Sequence, residues 1–94
     1  MKVSLSKAVE LLGYKVIKKD KGYNFRTVWA EKEGQLYYWH IEDLRDSEPS
    51  IFYRTVESLK DYRGGANHFV HNDELAEQGF TIFEPRKKCD YNSL

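Results

Sequence analysis

Two aromatic-rich stretches, Tyr23–Trp29 and Leu36–Ile41, meet across the turn Glu33-Gly34 and read as a β-hairpin whose two faces are both apolar. If Glu33-Gly34 is a two-residue loop, Lys32 faces Gln35. Counting back then pairs Trp29 with Tyr38, Val28 with Trp39, Thr27 with His40 and Arg26 with Ile41. Side chains alternate between faces along a strand, so one face carries Phe25, Thr27, Trp29, Leu36, Tyr38 and His40. The other carries Val28, Ala30, Tyr37, Trp39 and Ile41. The second set is the cleaner core face, because the first mixes rings with a threonine, a histidine, Glu31 and Glu42.

The segments around the hairpin are short. Leu5, Ala8, Val9 and Leu12 recur at helical spacing, with Ser4 as N-cap and Gly13 where a helix ends in a left-handed residue. Tyr14 to Lys19 alternate as a first strand, closed by the turn Asp20-Lys21-Gly22. The acidic stretch from Glu42 to Ser50, interrupted by Pro49, reads as a loop, and Ile51-Phe52-Tyr53 as a short fourth strand. Thr55 is placed to cap a helix from Val56 to Tyr62 that Gly64-Gly65 stops. Asn72 caps a third short helix, Asp73 to Gln78, with Gly79 as its end, Phe80 to Phe83 as a last strand and Pro85 as its terminator. The expected fold class is α+β: a small antiparallel sheet of three to five strands with two or three short helices packed mainly on one face. Residues 1–85 are expected to form one compact domain and residues 86–94 a basic, flexible tail.

Charge and cysteine content narrow the function. The 94 residues hold 15 cationic and 15 anionic side chains, a formal net charge of zero, without the broad positive footprint of a sequence-independent nucleic-acid binder. No apolar run nears the roughly 20 residues of a transmembrane helix, and Met1 to Lys7 lack the apolar core of a signal peptide, so a cytoplasmic location away from membranes is expected. Cys89 stands alone, which rules out an internal disulfide and a cysteine-rich metal site, and no base is placed beside it.

Candidate chemistry is thin. His68 and His71, followed by Asp73 and Glu74, have metal-ligand spacing only if helical, and Gly64, Gly65 and Asn67 argue against that, so no metal or other cofactor is expected. Arg63-Gly64-Gly65-Ala66-Asn67 lacks the lysine and hydroxyl of a phosphate loop. Glu31, Glu33, Glu42, Asp43 and Asp46 lie at turn tips and in a loop, and no serine sits on a nucleophile elbow, so no enzyme activity is expected.

The aromatic residues, 15% of the chain, remain. Phe25, Trp29, Tyr38 and His40, rimmed by Glu31 and Glu42, form the candidate contact face. The expected function is a small non-enzymatic protein-interaction module, an inhibitor or accessory factor of the kind bacteria, phages and mobile elements encode. Its partner is another protein or a second copy. The alternative is a nucleic-acid-binding module using Arg26, Arg54, Lys60, Arg63, Arg86, Lys87 and Lys88 with aromatic stacking. Three strands followed by a helix that starts at Thr55, over Tyr14 to Tyr62, resemble in outline the integrase arm-type DNA-binding domains. That resemblance implies DNA reading by the sheet.

Overall fold

A hairpin with Glu33 at φ 53° and Gly34 at φ 80° organises the chain. Both turn residues are left-handed, as a two-residue type I′ loop requires, and this twist matches that of the flanking strands. In the computed structural model, which describes residues 1–22, 24–42, 50–60 and 67–84, strands β3 (Phe25–Lys32) and β4 (Gln35–Glu42) pair in the register read from the sequence. Trp29 faces Tyr38, Val28 faces Trp39 and Thr27 faces His40.

Ahead of the hairpin lie β1 (Lys2–Val3), α1 (Leu5–Leu11) and β2 (Lys15–Lys21). The Ser4 hydroxyl accepts the Lys7 N–H at 3.2 Å and so caps α1, while Gly13 leaves it at φ 97°. Strand β2 runs on through Asp20 and Lys21, which the sequence assigned to a turn. The chain reverses later, where the Gly22 N–H donates to the Phe25 carbonyl at 3.0 Å. A side chain on Gly22 would collide with the Phe25 ring, so any other residue there requires that ring to move. A bulge between Val16 and Lys18 interrupts the pairing of β2 with β3 and leaves Ile17 exposed.

After the hairpin come β5 (Ser50–Thr55), β6 (His68–Val70), α2 (Asn72–Ala76) and β7 (Thr81–Ile82). The main sheet is antiparallel with order β2-β3-β4-β5-β6, and β1 and β7 form a separate parallel pair. The class is therefore mixed α and β, with a five-stranded sheet.

Four expectations fail for reasons of long-range pairing. No helix begins at Val56, and residues 56–60 are non-helical. Instead the Val56 N–H donates to the Leu36 carbonyl at 3.0 Å and its side chain is buried, because a sheet partner offers more than a short helix with no face to bury. The resemblance that relied on this helix loses its basis. His68 to Val70, expected in a loop, form the edge strand beside β5. Asn72 does not cap α2; its side chain exchanges two hydrogen bonds with the backbone of Ile82, at 2.9 and 3.3 Å, and ties α2 to β7. The last strand shortens to two residues and pairs with the N-terminus, not with the main sheet. Tyr62, Gly64-Gly65, Pro49, Pro85, Cys89 and residues 86–94 lie outside the described residues.

Leu5, Ala8 and Val9 of α1, Leu75 of α2, and Phe80 and Ile82 enter one buried cluster with Val28, Ala30, Trp39, Ile41 and Ile51 of the sheet. Trp29 and Val56 are also buried but stand outside this cluster, Trp29 on the opposite face of the sheet from its strand neighbours Val28 and Ala30. Among the described residues no helix is long and apolar enough to cross a membrane.

Candidate interaction face

Cross-strand register collects rings on the sheet face away from that cluster. Paired residues share a face, so Phe25, Thr27 and Trp29 of β3 join Tyr38 and His40 of β4, Phe52 and Arg54 of β5, and Phe69 of β6. The rings form a continuous path. Trp29 meets Tyr38 edge-on at 5.4 Å, Tyr38 stacks on His40 at 5.9 Å, His40 lies 5.1 Å from Phe52, and Phe52 lies 6.0 Å from Phe69. Phe25 stacks on His40 from the other side at 5.6 Å. Exposure grows along the path, from 3% at Trp29 to 64% at Phe69.

Cations lie on the buried end. The Lys18 ammonium sits 4.9 Å from the Trp29 ring and the Arg54 guanidinium 4.8 Å from Tyr38. Their stems lie over rings that stand outside the buried cluster joined by α1 and α2.

His40 is the polar centre of the face. Its Nδ1 lies 3.2 Å from the Thr27 hydroxyl and 3.3 Å from the Tyr38 hydroxyl, and its Nε2 lies 3.4 Å from a Glu42 carboxylate oxygen. A neutral ring with its proton on Nε2 suits both sides, since Nδ1 then accepts from a hydroxyl and Nε2 faces the acid. Burial among the rings lowers the His40 pKa below its ordinary 6.5; Glu42 pulls it up by charge and hydrogen bonding, and Arg54 pushes it down. Thr27, His40 and Glu42 have the order of a nucleophile, a base and an orienting carboxylate. However, Thr27 is only 3% exposed and Tyr38 shares its ring nitrogen, so the arrangement fixes the imidazole between its neighbours.

Of the residues singled out in the sequence, Phe25, Tyr38, His40 and Glu42 come together. Trp29 supports the face from beneath, and Glu31 stands beyond it near the hairpin turn. Sequence reasoning missed Phe52, Phe69 and Lys18. The basic residues do not converge. Arg26 lies on the opposite face, nearly buried, with its Nε 3.7 Å from Glu84; Arg54 lies on the aromatic face; Lys60 is in a turn. Arg63, Arg86, Lys87 and Lys88 lie outside the described residues. His68 stacks on Tyr53 at 5.0 Å, and the described residues hold no group of three or more side chains placed to bind a metal.

No protein-family model matches the chain, and searches of curated proteins and of solved structures find no match either.

Proposed function

We propose that this chain is a small protein-interaction module whose contact surface is the aromatic face of the five-stranded sheet. The observation that carries the reading is the ring path from Trp29 to Phe69, which is anchored by buried contacts at one end and opens to solvent at the other. A well-packed aromatic centre with a polar edge is the anatomy of an interface, and rings held by neighbouring rings lose little freedom on binding. Glu42 and Arg54 supply the polar edge beside His40 and Tyr38. One adhesive face on a domain of this size fits the inhibitor or accessory-factor class, and the occupant is another protein chain or an identical copy.

The test compares wild type with Phe69→Asp, which places a charge where the path opens. Sedimentation reports self-association, and capture from the native host followed by mass spectrometry reports other chains. The reading expects at least one bound species, a copy or another protein, to be lost from the variant. A wild-type chain that sediments as a monomer and retains nothing, or a bound set the variant leaves unchanged, contradicts it.

A further inference from the structure

The two edges of the sheet differ in charge. Strand β6 has no Lys, Arg, Asp or Glu, whereas β2 carries Lys15, Lys18, Lys19 and Lys21 against Asp20 alone. All four lysines are exposed, and β2 has no strand on its outer side among the described residues. Lysines on an edge repel other chains, and that protective role accounts for their presence on such a strand. It does not account for the cleft beside them. Between the end of β2 and the first turn of α1 lies a cleft of about 500 Å³ lined by Ser4 and Ser6, the cations Lys19, Lys21 and Arg26, the carboxylates Asp20 and Glu84, and Thr27 and Val28 at its floor on β3.

The carboxylates of that lining are turned to internal partners. Glu84 accepts the Leu5 N–H at 2.7 Å and faces Arg26, and Asp20 accepts the Lys21 N–H at 2.9 Å. Lys19 and Lys21 make no ion pair with a described residue, and they project to the same face because they are two apart on one strand, opposite Val28 and Arg26. The Ser4 and Ser6 hydroxyls, 3.3 Å from each other, stand across from them. Charge and hydrogen-bonding groups here match a carboxylate, and the open edge matches an extended backbone.

We propose that the β2 edge and this cleft bind an acidic peptide in extended conformation, which adds as a strand along Lys18 to Lys21 and places a carboxylate side chain between Lys19 and Lys21. The bulge between Val16 and Lys18 marks where the added strand stops, since regular pairing is broken there. Backbone hydrogen bonds supply the affinity and the lysines select acidic over basic sequences. This site is on a different edge from the aromatic face and stands or falls without it.

The experiment titrates the isotope-labelled full chain with the blocked peptide Glu-Val-Glu-Val-Glu-Val and follows backbone amide shifts at about 0.15 M salt. The shifts are expected in residues 4–6 and 18–21 and not at Phe52 or Phe69 of the aromatic face. A Lys-Val peptide of equal length, and the Glu-Val peptide against the K19E/K21E variant, should each bind at least about tenfold more weakly. Methylating alternate backbone nitrogens of the Glu-Val peptide keeps its charge and removes donors, and should also weaken binding about tenfold to the unaltered protein, an arm that does not depend on any variant folding. Absence of saturable shifts, saturation at another surface, or equal binding of the methylated peptide overturns the proposal. Phe69→Asp should bind the peptide as wild type does.

Discussion

The two faces of the sheet are both apolar and are covered by different means. On one, Val28, Ala30, Trp39, Ile41 and Ile51 interlock with side chains of α1, α2 and the segment through β7. Tyr14 adds edge-on contacts to Tyr37 at 5.0 Å and Trp39 at 5.5 Å, and its phenol, pushed up to about 12 by burial and by the nearby Tyr37 and Tyr53, stays neutral. On the other face the rings cover one another, with Lys18 and Arg54 laid over the inner two. Aliphatic side chains fill irregular space between layers and leave no surface behind. A row of flat rings braced by its neighbours keeps broad faces presented, and this suits a surface that must hold its shape before a partner arrives.

The comparison breaks most readily at its best-packed point. Trp39 is 2% exposed and stacks on Tyr53 at 4.4 Å, so Trp39→Ala should cost about 3–5 kcal/mol of stability, measured by urea unfolding. A loss much below that would mean that the helix-covered face is not the main source of stability. Lys18→Ala removes one of the covers on the other face. It should cost about 0.5–1 kcal/mol and redden the Trp29 emission as water reaches the ring. No spectral change would mean that Lys18 does not shield Trp29.

A smaller effect appears as a pH slope. The folded-state pKa of His40 lies below 6.5, so the unfolded chain takes up the proton more readily. The stability contributed by the neutral ring is present above pH 6.5 and is lost as pH falls through the folded-state value. Melting temperatures taken between about pH 7.5 and pH 5 should fall more steeply for wild type than for His40→Gln, the difference isolating His40 from the carboxylates. Parallel slopes would show that the ring is not held neutral by its neighbours.

What the sequence disclosed follows from the range of the interactions. Ser4, Gly13, Glu33 and Gly34 act on their own neighbours, so α1 and the hairpin register were legible, and with them the grouping of Phe25, Tyr38 and His40. Phe52 and Phe69 join the same face only through the strand order β4-β5-β6, which no local pattern encodes. Val56 followed a distant carbonyl instead of its own helical spacing. Lys18 was hidden by the bulge: simple alternation puts it on the face of Val16, and one extra residue carries it to the face of Trp29.

The central claim is that the two faces have separable roles, and Phe69→Ala tests it most directly. Phe69 lies at the exposed end of the ring path, where surface substitutions change stability by no more than about 0.5 kcal/mol. Its melting temperature and its binding to whatever species wild type retains should be measured side by side. The result expected is an unchanged melting temperature with association strongly weakened. A melting temperature lowered by several degrees with association intact would contradict it, and would assign the aromatic face to the core.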